Sequence, residues 1–117
     1  MTPRTTHLFS ILCMLAIPLV SIPFRITYFT SKACRQCTRF DRKYKDLVKK
    51  YPGIEFNRVC LEGEGFEIAR SKKIDRIPMM VFEDESGREE ARFTGVPENM
   101  NEIISMCKKY SESCMDT

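Results

Sequence analysis

The sequence predicts an α/β domain in which a four-stranded mixed sheet is flanked by three helices, in the order β-α-β-α-β-β-α. Short β-branched and aromatic runs alternate with segments whose apolar residues recur at helical spacing. The first two strands flank a helix, and a right-handed crossover of this kind makes them parallel. A turn at residues 84–87 joins the last two strands into an antiparallel hairpin. Helices on both faces of this sheet would bury their apolar sides against it.

Each predicted element has its own local signal. The strands are expected at residues 24–29, 54–61, 78–82 and 89–94. The first helix follows Cys37 and ends at Pro52 and Gly53, which interrupt helices. Its apolar face consists of Phe40, Tyr44, Leu47, Val48 and Tyr51. The second helix is short, and its apolar residues are Phe66, Ile68 and Ala69. The last helix is expected to begin at Pro97, because proline suits the first turn of a helix.

The beginning of the chain differs in composition from the rest. Residues 5–24 contain no Asp, Glu, Lys or Arg, and residues 8–20 form an apolar run behind the single positive charge of Arg4. A short basic start followed by such a run is typical of a secretory signal. A membrane-spanning helix needs about 20 apolar residues, which is longer than this run.

These lengths divide the chain into three parts. We predict a signal peptide or amino-terminal anchor at residues 1–23, a folded domain at residues 24–112 and a tail at residues 113–117. A cleaved signal would place the domain in the secretory pathway or outside the cell. An uncleaved anchor formed by residues 8–24 would hold the domain on the exported side of a membrane. A buried or organelle-targeting segment is the remaining alternative.

The charge of the chain is small overall but uneven. A formal net charge of +3 does not support a polybasic nucleic-acid binder, so no nucleic-acid partner is predicted. Residues 32–50 nevertheless contain eight basic and two acidic side chains. Two interpretations of this concentration stay open. It is either a solvated helix face or a basic rim that steers acidic proteins or anionic lipid toward Cys34.

Two cysteines separated by two residues are the strongest chemical signal in the sequence. Cys34 and Cys37 lie where a strand ends and a helix begins, so that one helical turn brings their sulfur atoms close enough for a disulfide. The unpaired N–H groups of a helix N-terminus favour a thiolate over a thiol. We therefore predict Cys34 as the attacking thiolate and Cys37 as the resolving thiol. The positive charges of Arg35 and Lys32 are predicted to stabilise that thiolate further.

A structural disulfide and half of a zinc site are the alternatives for this cysteine pair. A two-residue loop is a poor structural crosslink, because closing it removes little chain entropy. Zinc needs four ligands, but there is no second C-x-x-C, and the only histidine, His7, precedes the apolar run. No metal and no cofactor are predicted. Cys60 and Cys107 are expected to be buried free thiols, and a bond involving Cys114 is the alternative.

The order of these features resembles the thioredoxin superfamily. The resemblance covers about residues 24–110 and includes Ile77-Pro78 before an apolar strand and Phe93-Thr94-Gly95 before the last helix. The downstream half is more similar to thioredoxin itself, and the stretch before Cys34 is more similar to glutaredoxins. The resemblance implies that Pro78 is a cis-proline facing the active cysteines. It also implies that a substrate backbone pairs beside Ile77 and Pro78.

The sequence departs from the family pattern at the site. Ala33 stands where thioredoxins have Trp, and Arg35-Gln36 stand where they have Gly-Pro. Tyr28 lies at about the place of a buried Asp that accepts the proton of the resolving cysteine in thioredoxins. The paired glycines and the acid that bind glutathione in glutaredoxins are not evident.

The resemblance implies a thiol-disulfide oxidoreductase that exchanges disulfides with protein substrates through Cys34 and Cys37. Its partners would be protein disulfides or dithiols and a redox partner, either a reductase or an oxidase. The alternative is a non-enzymatic binding module of the same fold, in which the cysteines form a static bond and the groove at Pro78 holds a partner. The sequence does not distinguish reduction from oxidation.

Overall fold

A computed structural model describes residues 23–115 of the chain, so the predicted signal or anchor lies almost entirely outside it. The strands are β1 (Arg25–Thr30), β2 (Glu55–Cys60), β3 (Met79–Glu83) and β4 (Glu89–Thr94). The helices are α1 (Arg35–Lys50), α2 (Gly65–Ser71) and α3 (Met100–Met115), with a short 3-10 helix (Pro97–Asn99) before α3. No helix within residues 23–115 is both long and apolar enough to cross a membrane.

The sheet has the strand order β2-β1-β3-β4. β1 pairs with β2 in parallel and with β3 antiparallel, and β4 completes the hairpin beside β3. The predicted fold class is confirmed: one parallel pair and one hairpin form a four-stranded mixed sheet with three α-helices. Because β1 is central and has helices on both faces, five of its six residues are buried.

Two apolar clusters hold the helices on the sheet. The larger lies under α1 and α3, and its fully buried side chains include Ile26, Tyr28, Met80, Phe82, Ile103, Cys107 and Tyr110. The smaller lies under α2 and contains Phe29, Ala69, Met79 and Val81. Burying one large apolar side chain contributes roughly 1.5–3 kcal/mol. Most of the stability therefore comes from the face that carries α1, the helix that starts at the cysteine pair.

Three apolar side chains predicted to be buried are exposed instead. Val48, Phe66 and Ile68 keep 36%, 56% and 46% of their surface accessible. α2 has only seven residues and meets the sheet through Gly65 and Ala69, so its larger side chains point elsewhere. Val48 lies beside the buried stripe of α1 rather than within it.

Helix α3 is longer than the sequence pattern indicates. It continues to Met115, past the predicted start of the tail at residue 113. No Gly or Pro interrupts residues 100–115, so nothing local ends the helix earlier. Inside the helix, Tyr110 stacks on Phe24 with their ring centroids 4.2 Å apart, which ties α3 to the start of β1.

Candidate active site

The two cysteines of the C-x-x-C motif form a disulfide at the junction of β1 and α1. β1 ends at Thr30, a three-residue loop follows, and Cys34 is the residue that caps α1. Cys37 lies in the first turn of the helix, and the two Cα atoms are 5.2 Å apart. The structure therefore brings the two predicted redox residues together at the edge of the sheet where β1 ends.

The sulfur of Cys34 takes the place of a helix-capping oxygen. The backbone N–H of Cys37 donates a hydrogen bond to Cys34 Sγ over 3.1 Å. The first turn of α1 contains no acidic side chain, so nothing there offsets the positive end of the helix dipole. Negative charge that develops on this sulfur on reduction is therefore stabilised by a backbone donor and by the helix.

The two sulfur atoms differ in access to solvent. Cys37 is 1% exposed, whereas Cys34 is half-buried. Thiol-disulfide exchange requires the attacking sulfur to reach a sulfur of the partner. Arg35 and Lys32 are exposed beside Cys34, and neither side chain forms an ion pair with another residue of the described chain.

Tyr28 lies directly behind the cysteine pair. Its side chain is fully buried, and its hydroxyl is 2.6 Å from Asp41 Oδ1 and 3.2 Å from the carbonyl oxygen of Cys37. The hydroxyl has a single proton, so the shorter contact defines the hydrogen bond to Asp41. Burial, and then the hydrogen bond to Asp41, raise the pKa of Tyr28. Where thioredoxins are expected to have a buried carboxyl group, this chain therefore has a neutral phenol.

Asp41 is a site residue that the sequence analysis did not single out. It follows Cys37 by four residues on α1, and Arg58 on β2 lies 3.7 Å from its second carboxylate oxygen. Residues four apart on a helix share a face, so the spacing from Cys37 was the available signal. The contacts to Tyr28 and Arg58 depend on the sheet register, which no local pattern reveals.

We predict that Tyr28→Phe lowers the stability of the oxidised protein by about 1–2 kcal/mol. The change removes a buried donor and leaves the Asp41 carboxylate with one partner fewer. Urea denaturation measures the effect. Tyr51→Phe is the matched control, because the Tyr51 hydroxyl is buried without a partner among the described residues, and its loss should cost nothing. Equal losses for the two variants would contradict the prediction.

A carboxylate on the other side of the motif holds the loop that leads to Cys34. Glu62 accepts hydrogen bonds from the Ser31 hydroxyl over 2.9 Å and from the Lys32 backbone N–H over 2.7 Å. The Cys60 thiol donates to its second oxygen over 2.9 Å. The hydrogen bonds from Cys60, Ser31 and Lys32 lower the pKa of Glu62 to about 2. Glu62 thus fastens the β1–α1 loop to the end of β2.

The two free cysteines of the described chain have different surroundings. Cys107 is fully buried, as expected, and burial raises the pKa of its thiol to about 12. Cys60 is only half-buried and is hydrogen-bonded to Glu62, so the expectation of a buried thiol is wrong there. The reason is that β2 is an edge strand and its last residue faces the loop before Cys34. The side chain of Cys114 lies outside the part that the structure describes.

We predict that Glu62→Gln makes the protein less sensitive to acid. The folded pKa of Glu62 lies below its ordinary value of 4.5, so its contribution is present above about pH 4.5 and is lost as the pH falls toward 2. The urea midpoint should therefore fall less in Glu62→Gln than in the wild type over this range. Glu64→Gln, an exposed neighbour, is the control and should follow the wild type. Identical acid profiles for all three proteins would contradict the role of Glu62.

Ile77 and Pro78 lie at the same edge of the sheet as the cysteines. Phe29 in β1 is opposite Met79 in β3, so the residues before Met79 lie beside the end of β1. The Ile77–Pro78 peptide bond is cis, and the Pro78 carbonyl accepts the Gly95 N–H over 2.8 Å. Gly95 lies against the Phe40 ring, where an added Cβ would be 2.9 Å from the ring carbons.

Nothing in the described residues offers a metal site. No group of three or more His, Cys, Asp or Glu side chains within residues 23–115 is arranged to hold a metal ion. Two pairs of titratable groups near the cysteine pair contact each other: Tyr28 with Asp41, and Cys60 with Glu62.

Several solved thioredoxin structures have the same fold. Thioredoxin of Fasciola hepatica is 23% identical, with a TM-score of 0.65 over 80% of this chain and 89% of that chain. Thioredoxin O2 of Arabidopsis thaliana, in its oxidised state, is 20% identical, with a TM-score of 0.63 over 73% of this chain and 75% of that one. Mitochondrial thioredoxin 3 of Saccharomyces cerevisiae is 19% identical, with a TM-score of 0.60 over 70% and 76%.

These likenesses identify the thioredoxin fold. No family model matches the sequence, and no curated protein matches it. The identities are below 25%, so the likeness is one of architecture, and it confirms the fold that the resemblance implies.

Proposed function

We propose that this protein is a thiol-disulfide oxidoreductase that exchanges disulfides with protein substrates. The observation that carries the proposal is the position of the Cys34 sulfur, which accepts a backbone N–H at the positive end of a 16-residue helix. A helix N-terminus stabilises a thiolate, and the thiolate is the reactive form in exchange. Arg35 and Lys32 add positive charge beside this sulfur. No cofactor is needed, because the two cysteines store the electron pair.

The reaction consists of two exchanges. The Cys34 thiolate attacks one sulfur of the partner's disulfide, and the other partner sulfur leaves as a thiolate, so that a mixed disulfide forms. The Cys37 thiolate then attacks Cys34 Sγ, which releases the partner's second thiolate and forms the Cys34–Cys37 disulfide. Two electrons pass from the chain to the partner, and the released thiolates take up protons. The reverse sequence oxidises a partner dithiol.

Reduction of insulin by the purified full chain, with dithiothreitol as the electron source, tests this proposal. The wild type should speed the precipitation of the insulin B chain, and Cys34→Ser should give only the rate of dithiothreitol alone. Cys114→Ser is a control cysteine replacement near the end of α3 and should retain the wild-type rate. Equal rates for the wild type and Cys34→Ser would overturn the assignment.

The groove at Pro78 is proposed to hold the substrate backbone beside the cysteine pair. The Pro78 carbonyl accepts a hydrogen bond from the Gly95 N–H, so this carbonyl is already occupied. Ile77, which is half-buried next to it, is the residue proposed to present its backbone to the substrate.

We also propose that the domain acts in the secretory pathway or outside the cell, with anchoring to a membrane through residues 8–24 as the alternative. The charge-free run at residues 8–20 supports this proposal. The amino-terminal residue of the protein isolated from its cells tests it. A terminus near residue 24 means a cleaved signal. Met1 on protein recovered from the cytosol would overturn both export and anchoring.

A further inference from the structure

A groove lies along one side of α1. It has a volume of about 430 Å³ and lies between α1 and the segment that joins β4 to α3. Its apolar walls come from Phe40, Val96, Pro97 and Met100. Gln36, which lies between the two cysteines, lines the end nearest to the disulfide. The groove therefore begins beside the cysteine motif, at Gln36, and neither cysteine lines it.

The rim of this groove is basic. Arg39 and Lys43 line it, and Arg35 precedes them by one turn, so the three cations follow each other at intervals of four residues on α1. None of the three forms an ion pair with another described residue. Six other basic side chains of the fold are paired with carboxylates, at Arg25, Arg58, Lys72, Arg88, Arg92 and Lys109. Arg35, Arg39 and Lys43 are exposed, as are other unpaired basic side chains of the described residues. What distinguishes these three is that they follow one side of α1 from the cysteine motif to the groove.

We propose that the groove binds an acidic segment of the protein whose disulfide is exchanged, with an apolar side chain in the groove and carboxylates on Arg39 and Lys43. This inference rests on the proposed function and names its substrate class. Charge complementarity sets which partners are chosen and how fast they arrive, and the apolar walls contribute contact area. A concave site of this volume accepts side chains of a peptide, whereas a flat lipid surface would meet only the rim.

The helix geometry also sets where the acidic residues should lie. With a rise of 1.5 Å per residue, Arg39 and Lys43 are displaced from Cys34 by ~7.5 and ~13.5 Å along α1. An extended peptide spans about 3.3 Å per residue. Acidic residues are therefore expected about two to four positions from the cysteine that Cys34 attacks.

The test compares two disulfide-containing peptides of the same length. One has Glu at the second and fourth positions from its cysteine, the other has Lys there, and both have a Leu between them. The full chain should reduce the Glu peptide with at least a tenfold higher kcat/KM. Arg39→Glu combined with Lys43→Glu should reverse this preference. The matched control, Lys45→Glu with Lys49→Glu, makes the same charge change on α1 away from the groove and should keep the preference.

A second measurement is the salt dependence of the peptide preference. In the wild type, the preference for the Glu peptide should shrink between about 0.01 M and about 1 M salt, where the screening length falls from about 30 to 3 Å. The salt measurement uses only the wild type, so it does not depend on whether a charge-reversed variant folds. Equal kcat/KM for both peptides at low salt would overturn the inference. So would loss of the preference in the Lys45 and Lys49 control.

The failure of this inference is distinguishable from the failure of the proposed function. Hydroxyethyl disulfide is small and uncharged and does not need the groove. If the wild type reduces it but treats both peptides alike, the acidic-substrate inference is wrong and the oxidoreductase stands. If the wild type reduces neither, the proposed function itself is wrong. Binding to phosphatidylserine vesicles that depends on Arg39 and Lys43, without peptide preference, would assign the cations to a membrane and overturn the inference.

Discussion

Replacing Cys37 with serine should stop turnover and leave the protein covalently attached to its substrate. Cys34 can still attack a partner disulfide, since its access and its backbone hydrogen-bond donor do not depend on the Cys37 side chain. The second exchange, however, has no attacking sulfur. With dithiothreitol present, insulin reduction should therefore fall to the rate of this reductant. When the pre-reduced variant meets insulin without dithiothreitol, a mixed disulfide should accumulate.

The adduct distinguishes this account from a plain loss of folding. Mass spectrometry of the non-reduced Cys37→Ser protein should show the chain plus one insulin molecule, and a reductant should remove the added mass. Cys34→Ser should form no such adduct, because Cys37 is 1% exposed and its sulfur is out of reach of a partner. Adducts on Cys34→Ser but not on Cys37→Ser would mean that the roles of the two cysteines are exchanged.

Gly65→Ala should destabilise the protein more than alanine at Gly63, Gly87 or Gly95, by about 3 kcal/mol. A Cβ at this position would overlap the carbonyl oxygen of Cys60 and would lie 3.0 Å from Val59 Cγ1. Neither neighbour can move freely, because β2 is hydrogen-bonded along its length to β1. α2 would have to lift away from the sheet and uncover the smaller apolar cluster.

Gly63→Ala is the control for this substitution. Gly63 has a φ of 80° but no atom within 4 Å of an added Cβ, so alanine there meets backbone strain of about 1 kcal/mol and no overlap. Urea denaturation of both variants measures the difference. A Gly65→Ala midpoint equal to or above that of Gly63→Ala would show that the close approach of α2 to β2 does not constrain the fold.

The order of the elements and the redox motif were predictable from the sequence because both depend on local signals. Alternating apolar and polar residues mark the strands, and apolar residues at helical spacing mark α1. Two cysteines separated by two residues predict a disulfide when the first of them lies where a helix begins. The predicted strand at residues 89–94 coincides with β4. The errors are also local in origin: Phe66 and Ile68 lie in a predicted helix, but residues two apart face different sides of it, and α2 meets the sheet through Gly65 and Ala69.

The surroundings of the cysteines were not predictable in the same way. Tyr28 and Asp41 are 13 residues apart, and Ser31 and Glu62 are 31 apart, so their contacts exist only after the sheet has assembled. The groove beside α1 likewise requires the β4–α3 segment to lie against it. The sequence patterns predict the redox cysteines, whereas strand register and helix packing determine which groups surround them.

The reduction potential of the Cys34–Cys37 pair tests the central claim most directly. The full chain is equilibrated in glutathione or dithiothreitol buffers of known potential, its free thiols are alkylated, and the oxidised fraction is read by mass. Stabilisation of the Cys34 thiolate by the helix N-terminus predicts a midpoint between about −270 and −120 mV, the range of catalytic pairs. A midpoint below about −300 mV is typical of structural disulfides. That result would contradict the oxidoreductase and favour a binding module with a static bond.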